Sequence, residues 1–213
     1  MSREAGAAPR IAVDPTVAGV LHAEADERRG AADVLEISAF ALDVDGGLRG
    51  KRSVGAAGPG PCLTKLHEIE GLALARRVLG SSAVFPTRAS FLYYEAGSYG
   101  LLHHDISQCT VTLLLALTQA EPLRIYPSFG KPRQDDLEVL NAAPYGAAAE
   151  FEGWCAAELG PGRMAATTIP ILTDSFVALD GREMAHARYP QDELVMVASL
   201  CYAALSYRPT WKL

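Results

Sequence analysis

The sequence predicts an α+β protein in which two N-terminal helices brace a β-rich body closed as a sandwich or barrel. Two observations carry this. The clear helical spacing of apolar residues lies before Pro86. From residue 89 onward the apolar runs are short and β-like: ASFLYYEAG, CTVTLLLAL, PLRIYP, MAATTIPIL, SFVALD and ELVMVASLCYAALSY. Short strands with no helical pattern between most of them bury their apolar faces by closing on one another.

Taken in order, the first ten residues are small and polar and read as a loose tail. Asp14 is an N-cap and Pro15 a first helical residue, opening DPTVAGVLHAEADERRG, where Val17, Val20, Leu21 and Ala25 recur at helical spacing up to Gly30. Alternation of Leu35, Ile37, Ala39 and Ala41 predicts a strand from Val34 to Leu42, ended by the turn DVDGG. Residues 50–62, rich in Gly and Pro, are expected as a loop, after which Thr64 caps a second helix with the stripe Leu66, Ile69, Leu72, Ala75 and Leu79, ending at Gly80. Within the β half, residues 128–162 interrupt the strands, and an insertion of that length has a function or is disordered.

Composition bounds the function. The chain has 213 residues, 49% hydrophobic and 21% charged, which suits one globular domain over 1–213, with 11–87 as support and 88–213 as the β core. A formal charge of −6 and no Lys/Arg cluster longer than a pair give phosphate tracking nothing to use, so nucleic acid is not an expected partner. Uncharged-to-cationic or carrier-bound small partners stay open. No apolar stretch suits a leader or a membrane span, making a cytoplasmic protein the expectation. Four scattered cysteines exclude a CxxC motif and give no disulfide framework; Cys109 and Cys201 read as small core residues.

The chemistry concentrates at His103-His104-Asp105. In an extended chain residues i and i+2 point the same way, so His103 and Asp105 present an imidazole nitrogen and a carboxylate oxygen to one point while His104 faces away. His186, at the far end of the β half, is available as a third ligand. Two His and one carboxylate with three adjacent positions open form the facial triad of non-haem Fe(II) oxygenases. HxD alone is weak; its context raises it.

That context resembles the Fe(II)- and 2-oxoglutarate-dependent dioxygenases, in their prolyl-hydroxylase-like branch, over about residues 88–207. Tyr94 and Gly97 precede His103 and Asp105 in YEAGSYGLLHHD, and CTVTLLLAL carries Thr112 where the family keeps a hydroxyl near the cosubstrate. PLRIYP and SFVALDGREMAHARYP, with Asp180-Gly181-Arg182 and His186, follow in the family's order. The resemblance implies a double-stranded β-helix (jelly-roll, cupin-like) core, Fe(II) on His103, Asp105 and His186, and 2-oxoglutarate and O2 as cosubstrates. It implies a hydroxylase, while the compact chain, rich in Ala, Gly and Arg, suits a free or carrier-linked amino acid or short peptide in biosynthesis as the substrate. The alternatives are a peptidyl or protein hydroxylase and a non-catalytic metal- or ligand-binding jelly-roll. The sequence carries nothing on oligomeric state.

One departure stands out. Where the family places a basic residue for the far carboxylate of 2-oxoglutarate, this chain has Val195 and Met196. Arg188, i+2 from His186, is the candidate replacement, against the plain reading of a surface ion pair with Asp192 or Glu193. Arg124 ranks second, since Leu123 and Ile125 read as the inward face. Tyr94, beside Tyr93, Tyr99 and Tyr126, is either a strand former or a contact of the bound molecules. Phe151 and Trp154 either lid the cavity or anchor the insertion; Asp135, Asp136 and Glu138 read as a solvated helix start, and His22, His67 and His104 as surface, boundary or supporting residues.

Overall fold

The structure, a computed structural model, describes residues 9–205. Strand β1 (Arg10–Ala12) precedes α1 (Pro15–Arg29), which Asp14 caps by accepting from Thr16 N as its sequence predicts. Then come β2 (Asp33–Ile37), β3 (Ala41–Leu42), β4 (Leu48–Arg49) and β5 (Arg52–Ala57). A continuous helical rod follows: α2 (Pro61–Leu66), a π-helical stretch His67–Gly71 and α3 (Leu72–Leu79), closed by Gly80 in the left-handed region at φ 60°. The β body comprises β6 (Val84–Tyr94), β7 (Tyr99–His103), β8 (Val111–Ala116) and β9 (Leu123–Tyr126), then α4 (Asp136–Ala142) and α5 (Ala148–Leu159). Strands β10 (Thr167–Ile169), β11 (Ser175–Leu179), β12 (Ala185–Arg188) and β13 (Val195–Ala204) complete it.

The strands join antiparallel in the order β1-β11-β8-β13-β6-β5-β7-β12-β9-β10. The sheet curls into two facing walls, and alternation along single strands shows it. Val195 and Val197 of β13 and Leu114 of β8 meet Leu123 and Ile125 of β9 and Ile169 of β10 in one apolar interior. Their neighbours Met196, Ala198 and Leu200 face the other way, onto Leu21 of α1 and Leu63 and Leu79 of the helical rod. A strand buried on both faces reads as an unbroken apolar run, as ELVMVASLCY does. The larger wall is thus backed by the N-terminal helices and the smaller one by α4 and α5, the jelly-roll arrangement expected.

Several local expectations are corrected. The Gly/Pro-rich residues 50–62 are not a loop throughout: Arg52–Ala57 is β5, which pairs with β2, β6 and β7 and bridges the two walls. The second helix starts at Pro61, with Thr64 inside it, because Pro61 suits the first helical position and the Glu24 carboxylate of α1 accepts from the N–H groups of Cys62 and Leu63. The strand expected over Val34–Leu42 breaks at Ser38–Phe40; Phe40 turns into the core beside the insertion, where Asn141 bonds its backbone N–H and C=O. The insertion is ordered helix. Of the expected N-terminal tail, residues 1–8 lie outside the described residues, while Arg10 already pairs in β1 with Val177. The last strand is described to Ala204; its expected end at Tyr207 lies outside. Cys109 and Cys201 are joined in a disulfide, with Cα atoms 4.9 Å apart, instead of packing as separate thiols. No helix of the described residues is long and apolar enough to cross a membrane.

Candidate functional site

Gly97, at φ 79°, lets the chain reverse between β6 and β7, and the Ser98 N–H closes that turn on Glu95 O at 2.8 Å. Strand β7 then delivers His103 at its last position, directly across from His186 on β12. Their rings lie 4.3 Å apart between centroids. Asp105 sits two residues beyond the strand, so simple alternation does not place it. Its backbone N–H donates to Gly181 O at 2.7 Å, in the turn leading to β12, and this brings its carboxylate Oδ1 to 3.7 Å from His186 Nε2. One ligand atom from each of His103, Asp105 and His186 falls within 4.8 Å of the others.

The surroundings fix which atoms face the centre. His103 Nδ1 lies 2.6 Å from Leu101 O and His186 Nδ1 3.0 Å from Met184 O. A carbonyl only accepts, so each Nδ1 carries the proton and each Nε2 presents its lone pair. Thr112 donates to Asp105 Oδ2 at 2.6 Å, leaving Oδ1 free. A Cβ on Gly181 would overlap the Asp105 carboxylate, so only glycine permits this approach. Burial, aided by the neighbouring His186 and Arg52, holds the His103 imidazole well below its ordinary pKa. It is neutral at pH 7, as a metal ligand must be. Two imidazoles and one carboxylate converging on one point fit a divalent transition metal of the Fe(II) type.

A cavity of about 100 Å³ opens beside His103 and Asp105, lined among others by Tyr94, Arg52, Arg88, Ser90 and Ser199. Gly100 keeps it open, since its Cβ direction points toward Tyr94 and His103. Arg188 shares the inner face of β12 with His186; Ala185 and Ala187 face the opposite way, into the core beside the insertion. The Arg188 side chain is 4% exposed, lies 5.0 Å over the Tyr94 ring and donates to Glu121 O at 3.3 Å. Burial lowers its pKa, and among the described residues no carboxylate comes within 4.0 Å of it. The surface pair with Asp192 or Glu193 does not form.

Other candidates are relocated. Arg124 is not in the cavity: Leu123 and Ile125 take the inner face of β9, which turns Arg124 outward to Glu152 of α5 at 3.2 Å. Tyr126 is outside as well, bonded to Glu152 and to Tyr189. Tyr93 is buried on the helix side, donating to Ala25 O. Phe151 belongs to the core beneath the insertion and Trp154 is exposed; residues 128–162 contribute nothing to the cavity lining and form no lid over it. Asp136 is not solvated but buried, gripped by both terminal nitrogens of Arg163. His104 and His67 are buried too. His104 Nδ1 accepts from Leu48 N–H, and burial pushes its pKa down to about 4; His67 Nε2 reaches Cys201 O at 3.0 Å. Sequence reasoning missed Arg52 and Arg88 as cavity residues. Arg52 lay in the presumed loop, and only the β5 pairing turns it inward.

No protein-family model matches the chain, and no curated protein matches it. Solved structures do. A Pseudomonas putida prolyl-4-hydroxylase aligns over 93% of this chain and 92% of its own, at 14% identity and TM-score 0.56. The α-ketoglutarate-dependent epimerase SnoN of nogalamycin biosynthesis aligns over 94% and 80%, at 16% identity and TM-score 0.60. HygX from Streptomyces hygroscopicus, solved with nickel, 2-oxoglutarate and hygromycin B, aligns over 94% and 84%, at 12% identity and TM-score 0.58. The fold of this chain is the jelly-roll that these solved oxygenases share.

Proposed function

We propose that this chain, built on the oxygenase jelly-roll, is an Fe(II)- and 2-oxoglutarate-dependent oxygenase that hydroxylates a C–H bond of a small molecule or short peptide, such as a free or carrier-linked amino acid. The observation that carries the reading is the convergence of one ligand atom from each of His103, Asp105 and His186 within 4.8 Å of one another. When bound there, iron supplies O2-dependent C–H oxidation coupled to decarboxylation of 2-oxoglutarate.

The chain's own residues have distinct tasks. Backbone carbonyls hold Nδ1 of both His103 and His186, so neither ring must be flipped when metal enters, and His103 arrives neutral. Thr112 aims one oxygen of Asp105 inward. Arg188 is a buried cation without an anionic partner among the described residues, and such a group costs several kcal/mol unless a counter-charge arrives. The far carboxylate of 2-oxoglutarate would be that counter-charge, and the Tyr94 ring, 5.0 Å from the guanidinium, holds Arg188 in place to receive it. In this reading Arg188 replaces the basic residue missing at Val195 and Met196. The about 100 Å³ of the cavity, against roughly 300–1,000 Å³ for sites that enclose drug-sized ligands, favours a substrate that inserts one end.

Anaerobic titration of the Fe(II)-loaded protein with 2-oxoglutarate tests the reading. A weak visible charge-transfer band that is lost in His186→Ala is the expected result. Iron binding without any band would point instead to a different cosubstrate or a non-catalytic protein.

A further inference from the structure

We propose that Arg52 and Arg88 form an anion subsite beside the metal centre, and that the substrate carries a carboxylate or phosphate which this pair binds. The inference deepens the oxygenase reading and rests on it for the identity of the bound species as a substrate.

The ladder rows place the two guanidinium groups. On β6, Arg88 is level with Cys201 of β13, which is level with Thr112 of β8, the residue holding Asp105. Residues in one row project to the same face, so Arg88, two strands from Thr112, faces the cavity at the Asp105 end of the site. On β5, Arg52 is level with Gly100, which is level with Arg188 of β12. Both side chains line the cavity that also holds His103 and Asp105. Arg52 is half-buried and Arg88 exposed at the rim.

Neither cation is compensated by the protein. Among the described residues no carboxylate comes within 4.0 Å of Arg52 or Arg88. Burial lowers the Arg52 pKa, with Arg88 adding repulsion; Tyr94, Asp105 and Asp43 oppose this without forming an ion pair with it, and Asp105 is already assigned to the metal. With a divalent metal and dianionic 2-oxoglutarate in place, their charges cancel against Asp105 and Arg188. Arg52 and Arg88 then remain as two uncancelled positive charges in a protein whose formal charge is −6. Guanidinium forks bind carboxylate and phosphate bidentately, and desolvated cations in a cleft raise the local concentration of anions. Apolar Leu35, Val54 and Ile106 complete the lining, so the favoured ligand joins an anionic group to an aliphatic portion. The overall acidity of the chain had pointed to neutral or cationic partners; the local field at the cavity is opposite in sign.

The test is calorimetric titration of the full-length protein with hexanoate, hexyl phosphate and neutral hexanamide. It is run first without metal, then with Mn(II) and saturating 2-oxoglutarate. Hexanoate or hexyl phosphate should bind at least tenfold more tightly than hexanamide. Arg88→Gln, at an exposed position, should abolish that preference, and Arg52→Gln should do so while Arg52→Lys retains part of it. Tighter hexanoate indicates a carboxylic acid substrate, and tighter hexyl phosphate a phosphorylated or phosphate-bearing carrier-linked one. Equal binding of all three probes, or an unchanged preference in folded Arg88→Gln, overturns the subsite. The charge-transfer band of Fe(II) and 2-oxoglutarate separates the two claims. Its presence with no anion preference leaves the oxygenase reading standing alone, and its absence with the preference intact leaves only the anion site.

Discussion

Thr112 Oγ1 donates a 2.6 Å hydrogen bond to Asp105 Oδ2 across from the strand end that carries His103. The bond does two things: it satisfies one carboxylate oxygen and turns the other toward His186. Hydrogen bonds to charged groups contribute about 1.5–3 kcal/mol, and groups that orient metal ligands change affinity by about 10–100-fold. Thr112→Val keeps the shape and removes the donor. Its fold should persist, with Mn(II) or Fe(II) affinity 10–100-fold weaker in a metal titration. Wild-type affinity would show that the Asp105 carboxylate is held by something else.

Gly181 makes a second, steric contribution. Because a methyl group there would overlap the Asp105 carboxylate, Gly181→Ala must displace either the turn or the ligand. Overpacking of this kind costs about 1–3 kcal/mol. The turn also accepts the Asp105 N–H, so both contacts are disturbed together. Urea unfolding should show a loss in that range, accompanied by weakened metal binding; a variant as stable and as metal-competent as wild type would contradict the packing.

His104 gives the fold an acid sensitivity. Its imidazole accepts from Leu48 N–H, which requires the neutral ring, and burial takes its pKa from 6.5 to about 4. A histidine with a depressed folded pKa favours the native state fully above the unfolded value, and this contribution is lost as pH falls from about 6.5 to about 4. At about 1.36 kcal/mol per pH unit, the loss is about 3 kcal/mol. Unfolding free energies of wild type at pH 7.5 and pH 4.5 should differ by about 2.5 kcal/mol more than those of His104→Asn, whose amide oxygen accepts without titrating. Parallel pH profiles would remove His104 as the cause.

The candidate metal ligands were legible in the sequence because strong local signals precede them, Gly97 before β7 and Asp180-Gly181 before β12, although Asp105 is held by its bond to Gly181 and not by strand alternation. The two-walled core was legible for a similar reason, since runs such as Val195–Tyr202 are apolar on both faces. What escaped was decided at a distance. Gly55 sits in β5 because a side chain there would press on Tyr93 at 3.3 Å, a contact invisible in the local run GKRSVGAAGPGPC. His67 and His104 look like ordinary helix and surface residues until Cys201 and Leu48, far along the chain, supply their partners. The disulfide between Cys109 and Cys201 closes a separation of 92 residues and has no spacing signature.

The two arginines first considered for 2-oxoglutarate now separate cleanly. Arg188 is buried on the inner face of β12, stacked on Tyr94 and free of any carboxylate within 4.0 Å among the described residues. Arg124 faces outward and is already paired with Glu152. An exposed or half-exposed pair of this kind contributes about 0–1 kcal/mol, whereas removing one partner of a buried pair costs about 3–5 kcal/mol. Arg188→Gln should therefore weaken 2-oxoglutarate binding by at least tenfold in the anaerobic charge-transfer titration, with metal affinity unchanged. Arg188→Lys, which keeps the charge but not the fork, should recover part of it. Arg124→Gln should titrate as wild type. If Arg124→Gln loses the cosubstrate and Arg188→Gln does not, the inner face of β12 is not where the far carboxylate binds, and the role passes to Arg124.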